Sequence, residues 1–241
     1  MKKIFILGLI FFATMILEST QPPIEEDVFT TTMGRLKIYF IGHGSIRFEI
    51  NGKNIYVDPW GKLADYSKMP KAEIILITHE HPDHLDKIAI EKLSKSITEK
   101  WMPQSTFDIL KKGTVMKNGD IKTLYGFTVE AVPAYNTTKD KEKFHPKGRD
   151  NGYILTIPNL RIYIAGDTEN TPEMEKLKNI DIAFLPMNQP YTMTPEQVAA
   201  VCKKFVPKIL YPYHTGETDV TKLYPLFAGN NDTEVRIRNM K

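Results

Sequence analysis

The sequence predicts an α/β domain built from two packed β-sheets with helices on the outside. From Arg35 onward, short apolar strands alternate with helical segments, and the strands fall into two groups with helices between them. The strands are rich in Ile, Val, Tyr and Phe and are bounded by Gly, Asn, Asp or Pro, as expected of pleated, partly buried segments closed by turns. With 241 residues, 41% of them hydrophobic, the chain can bury one sizeable core, and α/β domains of this length often remain single.

The first residues stand apart from this pattern. Lys2 and Lys3 precede an apolar run over residues 4–17, broken only by Gly8 and Thr14 and ended by Glu18 and Ser19. A positive start followed by an apolar stretch of this length reads as a secretory signal peptide over residues 1–20, because a membrane-spanning helix needs about 20 apolar residues. Cleavage near residues 19–21 would export the protein to the periplasm or the medium. If residues 4–17 stay uncleaved, they are the one segment expected to anchor it to a membrane. No cysteine follows the run, which excludes lipoprotein processing. Residues 21–34, rich in Pro, Glu and Thr, read as a flexible lead-in to a domain over 35–241.

Within that domain, strands are expected at 36–41, 45–50 and 54–58, where GHG and NGK read as hairpin turns and make the opening antiparallel. The strand EIILIT at 73–78 is followed by helices at 86–95 and 106–111. Strands at 127–132, 152–157, 161–166 and 181–186 come next, with a helix at 172–177. A helix at 194–205, a strand at 208–213, a helix at 220–227 and a strand at 234–238 complete the order. Thr171 before Pro172, and Thr194 before Pro195 with Gln197 at the capping-box position, are helix-start signals.

Composition narrows the function. The formal net charge is +3 and is spread along the chain, so there is no electrostatic case for nucleic acid. The basic stretch Lys139, Lys141, Lys143, Lys147 and Arg149 is interleaved with acids and reads as a solvated loop. The single cysteine, Cys202, excludes an internal disulfide and sits in a helical pattern as a small buried residue. There is no Ser-His-Asp arrangement, no Gly-x-Ser-x-Gly motif and no Gly-rich phosphate loop.

The chemistry is concentrated in Thr78-His79-Glu80-His81-Pro82-Asp83-His84, between the strand at 73–78 and a helix. In extended chain His79 and His81 point the same way, while Asp83 and His84 fall on the turn and face a neighbouring point. Imidazoles with one carboxylate suit zinc or iron better than magnesium or calcium, which prefer oxygen ligands.

His-x-His-x-Asp-His after a hydrophobic strand resembles the signature of the metallo-β-lactamase superfamily. GHGSIRFEI (42–50) and NIYVDPW (54–60) resemble the opening of its lactonase-like and phosphodiesterase-like branch, near the metal-dependent hydrolases. AVPAYN (131–136), FHPKGRDNGYIL (144–155), RIYIAGDT (161–168) and ILYPYH (209–214) follow in the order of that family. The resemblance covers residues 35–214 and implies an αββα sandwich. It makes His79 and His81 ligands of a first metal, and Asp83 and His84 ligands of a second. It also makes Asp167 the carboxylate shared by both and His214 the last ligand of the second. An anionic oxygen between two cations would offset their repulsion. Many relatives place the third ligand of the first metal directly after the central strand, where this chain has Asn136; His145 resembles the position used by the nearest branch. His43 is expected to line the pocket or to serve as a structural histidine, and Asp58 to orient the metal loop by hydrogen bonding.

The family implies a hydrolase of a small-molecule substrate, with water activated by two divalent cations attacking a lactone, a phosphodiester or a related ester or amide. Asp83 would steer that water as well as bind metal. Zinc is the expected metal, with manganese and iron as alternatives. Trp60, Tyr135, Tyr191 and Tyr213 are expected near strand ends as pocket walls or core. Two other classes stay open. One is an iron-dependent redox enzyme, to be told apart by bound iron and oxygen- or peroxide-dependent turnover. The other is a non-catalytic metal-binding protein.

Overall fold

A computed structural model describes residues 23–241, and the expected signal peptide lies outside the described residues. One sheet contains β1 (Glu25–Thr31), β2 (Gly34–Gly42), β3 (Ser45–Ile50), β4 (Lys53–Val57), β5 (Ile74–Leu76), β6 (Glu99–Met102) and β7 (Thr114–Val115), adjacent in chain order. Its first four strands are antiparallel and its remaining pairings are parallel. The other sheet runs likewise through β8 (Ile121–Leu124), β9 (Phe127–Ala134), β10 (Asp150–Ile157), β11 (Leu160–Ile164), β12 (Ile182–Pro186), β13 (Ile209–Tyr213) and β14 (Glu234–Val235). It too is antiparallel up to β11 and parallel beyond. The β3–β4 hairpin turns at Asn51 and Gly52, both with positive φ, the geometry that Asn-Gly favours.

Apolar side chains from both sheets meet in a common core, with Ile38, Phe48 and Ile55 from one sheet and Val129, Leu155 and Phe184 from the other. The parallel strands are buried on both faces because helices cover their outsides. α1 (Lys87–Leu93) packs Ala89, Ile90 and Leu93 against Tyr56 and Ile75. α3 (Pro195–Phe205) packs Val198, Cys202 and Phe205 against Ala183 and Leu185. α2 (Gln104–Leu110) and α4 (Leu223–Leu226) complete the helices. The layers are those of an αββα sandwich, and Cys202 is buried in the α3 interface, as its place in the helical pattern suggests. Among the described residues no helix is long and apolar enough to cross a membrane.

Three local expectations are corrected. Residues 25–31, expected to be a flexible lead-in, form β1 on the edge of the first sheet. Phe29 packs against the core, and the Asp27 carboxylate accepts from Arg238 Nη2 at 2.7 and 2.8 Å and from the Tyr211 hydroxyl. These partners are remote in sequence, so local composition does not reveal the strand. The 172–177 segment makes only a 3-10 turn at Met174–Lys176: Thr171 Oγ1 does accept from Met174 N at 3.1 Å, but Leu177 turns extended. The 220–227 segment is a 3-10 turn leading into the four-residue α4.

At α3 the capping box forms as read, with Thr194 Oγ1 accepting from Gln197 N at 3.2 Å and Gln197 Oε1 accepting from Thr194 N at 2.8 Å. Thr194→Ala is expected to cost about 1 kcal/mol in urea unfolding. A loss under about 0.3 kcal/mol would show that apolar packing alone holds this helix end.

Candidate metal centre

The centre lies where both sheets release their chain at strand ends. After β5, the segment from Thr78 to His84 descends into a turn that leads to α1, so His79, His81, Asp83 and His84 project from one short stretch. Asp167 follows β11 and His214 follows β13, two strands of the second sheet whose parallel course brings their ends to one side. His145 comes from the connection between β9 and β10, and His43 from the β2–β3 turn. Close approach has a local requirement. A Cβ on Gly44 would stand 2.9 Å from His84 Cε1, and one on Gly166, at φ +67°, would stand 2.8 Å from the Asn151 carbonyl oxygen.

Three overlapping sets of ligand atoms each lie within 4.8 Å of one another: His79, His81 and His145; His43, Asp83, His84 and His214; and His79, His84 and Asp167. The Asp167 carboxylate stands between the other two sets, 3.6 Å from His84 Nε2 and 3.4 Å from both His145 Nε2 and His214 Nε2. Asp83 Oδ2 lies 3.0 Å from His43 Nε2 and 3.7 Å from His214 Nε2. His79, His84, His145, Asp167 and His214 are almost wholly buried.

Behind the ligand atoms, Asp58 organises the loop from complete burial. Its Oδ1 accepts from Thr78 N at 2.8 Å, and its Oδ2 from Thr78 Oγ1 at 2.6 Å and His84 Nδ1 at 2.8 Å. Thr78 Oγ1 in turn lies 2.9 Å from His79 Nδ1. These contacts engage Nδ1 of both rings and turn each Nε2 inward, that of His79 to 3.0 Å from His81 Nδ1, the way ligating imidazoles are oriented.

The residues fit metal ions by one further observation. His84 Nε2, Asp167 Oδ1 and both ring nitrogens of His145 and of His214 are buried with no hydrogen-bond partner in the protein. Buried polar groups are rarely left so, and these converge on a common space. Burial pushes His145 down to about 4 despite the pull of Asp167, which keeps it a neutral donor. His79 is driven well below the usual histidine range by burial and by neighbouring imidazoles. Burial also disfavours a charged His84, but Asp167 and Asp58 outweigh it and raise it to about 9, a field that equally favours a cation. Burial alone would raise Asp83; His214 and His43 beside it hold it well below the carboxylate range.

The structure brings His145 to His79 and His81, whereas Asn136 ties two loops through Nδ2, donating to the Lys141 oxygen at 3.1 Å and the Tyr191 oxygen at 2.7 Å. The His43 ring lies against that of His214, with centroids 3.8 Å apart and planes tilted by 43°. Of the aromatic residues considered as walls, Tyr135 and Tyr213 are buried, while Trp60 is part-exposed beside His43 and Tyr191 is exposed against Phe144. Sequence reasoning left Thr78, Glu80 and Glu169 without roles. The Thr78 hydroxyl directly before the first histidine was a usable signal. Glu80 is held by Arg149 Nη1 at 3.1 Å and by Ser105 Oγ at 2.8 Å, partners that no local pattern discloses.

An αββα sandwich with a histidine–aspartate centre at its strand ends defines the metallo-β-lactamase class. Residues 37–214 match the family model described as a beta-lactamase superfamily domain. A UPF0173 metal-dependent hydrolase of Ligilactobacillus salivarius is 31% identical over 196 residues, covering 74% of this chain and 84% of the relative. The crystal structure of a candidate metal-dependent hydrolase from Parabacteroides distasonis is 51% identical, with a TM-score of 0.88, and covers 91% of this chain and all of that one. Igni18, a metallo hydrolase from Ignicoccus hospitalis, is 25% identical with a TM-score of 0.71, over 85% of this chain and 95% of its own. The chain belongs to the metallo-β-lactamase superfamily, in its branch of metal-dependent hydrolases.

Proposed function

We propose that the chain is a binuclear hydrolase of small molecules that cleaves an ester bond in a lactone or a phosphodiester. His79, His81 and His145 would hold one divalent cation, Asp83, His84 and His214 the second, and Asp167 would be shared. The observation that carries this reading is the overlap of the three ligand sets, two of which meet the third through His79 and His84. The nitrogen-rich donor set favours zinc. Such a pair of cations, when bound, would make a coordinated water acidic near neutral pH and polarise the carbonyl or phosphoryl oxygen of the group under attack.

The chain's own residues would supply the rest. Asp83, about one-third exposed at its side chain and held by His43, is the carboxylate best placed to orient the attacking water and accept its proton. Trp60, part-exposed beside His43, and the exposed Tyr191 would contact the part of the substrate that does not react. Residues 1–20 would direct export, placing the enzyme among diffusible substrates outside the cytoplasm.

The test is turnover of a lactone, a phosphodiester, an N-acyl amide and a β-lactam by zinc- and by manganese-loaded protein beginning at residue 21. One class should turn over, and Asp83→Ala should lower that rate by about a thousandfold, on the order of 4 kcal/mol. No turnover of any member by protein proven to carry two metal equivalents would move the assignment to redox chemistry or to binding alone.

A further inference from the structure

The histidines of the centre are not held alike. His79 and His84 are each oriented from behind, by Thr78 and by Asp58. His145 and His214 are equally buried, yet no ring nitrogen of either has a hydrogen-bond partner in the protein. His214 directly follows β13, whereas His145 lies away from any strand end. A ligating imidazole is ordinarily fixed through its other nitrogen. For His145 the direction of the ring is therefore left to the main chain that carries it.

That main chain is the 135–149 connection between β9 and β10, which contains no helix or strand. The two strands are antiparallel neighbours with Ala134 opposite Asp150, and a turn of about 2–5 residues suffices to join such a pair. The additional length carries His145 to the centre and has to be tied down. Glu169, two residues beyond Asp167, does this from complete burial. Its carboxylate accepts from Thr137 N at 2.9 Å, Thr138 N at 2.6 Å and Thr138 Oγ1 at 2.9 Å, and faces Lys141 Nζ at 3.5 Å. Asn136 closes the other end, donating its main-chain N–H to the His145 carbonyl at 2.8 Å while its side chain holds Lys141 and Tyr191.

We infer that Glu169, together with Asn136, is the positioning residue of the His145 arm, orienting through the backbone a ligand that no side chain orients directly. Burying a carboxylate under a loop is costly unless it is fully paired; here the pairing falls on the segment that delivers a ligand. Because Asp167 and Glu169 share one turn, the shared carboxylate and the His145 arm are placed by the same piece of chain. The inference rests on the two-cation assignment proposed above.

Cobalt(II) titration of the full-length metal-free protein, followed by visible absorbance and by metal analysis, tests it. The unmodified protein should fill two sites. Glu169→Ala should weaken one of them by about tenfold or more and leave the other within about twofold. His145→Ala should weaken the same site, and adding Glu169→Ala to it should change that site by less than about threefold, since both act through one ligand. Should Glu169→Ala fail to fold, Asn136→Ala carries the same expectation of one weakened site. Two sites unchanged, two sites weakened alike, or additive effects in the double variant would overturn the inference while leaving the two-cation reading in place. A single site in the unmodified protein would overturn that reading and the inference with it.

Discussion

Asp167→Asn is expected to lower kcat/KM by at least about a thousandfold, about 4 kcal/mol of transition-state stabilisation, and, on the proposed two-cation assignment, to reduce bound metal from two equivalents to one or none. The substitution keeps the volume of the side chain and removes only its charge, at a residue that is 4% exposed and faces His84, His145 and His214. An amide cannot neutralise two cations. Metal analysis and steady-state kinetics on the same preparation decide the matter. Two retained metals with activity within about tenfold of the parent would show that Asp167 is not the shared ligand.

Removing metal should destabilise the whole molecule, because the proposed ligands come from both sheets. The first sheet's strand ends supply His79, His81, Asp83 and His84, and the second contributes His145, Asp167 and His214. With free metal at about a thousand times Kd, one site adds about 4 kcal/mol to the folded state. For a chain of this length each emptied site corresponds to a fall of about 8–16 °C in Tm, and complete chelation empties every site. Scanning calorimetry with and without chelator measures it, and re-addition of zinc should restore the loss. An unchanged Tm in protein shown to be metal-free would mean that the centre is held entirely by the surrounding core.

Much of this centre could be read from the chain because the most telling residues are contiguous. His79, His81, Asp83 and His84 come from one strand end, where the period-2 geometry of extended chain says which side chains share a face. Asp167 and His214 are different. Each is a single polar residue after a strand, ordinarily a turn position, and only the resemblance to a family singles them out; parallel pairing of β11, β12 and β13 is what brings their strand ends together. The strand β1 pairs with its neighbour β2, but Tyr211, Arg236 and Arg238, the side chains that hold its Asp27, sit at the far end of the chain. The short β6 and β7 have no clear alternation to announce them, and extend the sheet one after the other, β6 on the edge of β5 and β7 on the edge of β6. Glu169 reads as an ordinary acidic residue until the loop it holds has been folded over it.

Each seven-stranded sheet is made from one uninterrupted half of the chain, and the passage between halves is the tight turn in which Asp120 N donates to the Lys117 oxygen at 2.9 Å. A cut there would produce two fragments, one carrying His79, His81, Asp83 and His84 and the other His145, Asp167 and His214. Neither fragment alone holds a full set for either cation, and each would expose the apolar face that the other covers. Co-expressed, the pieces are expected to recombine through that face, and cobalt absorbance would appear only where they have done so. The protein thereby contains the design of a split reporter, whose colour records the reunion of its two parts.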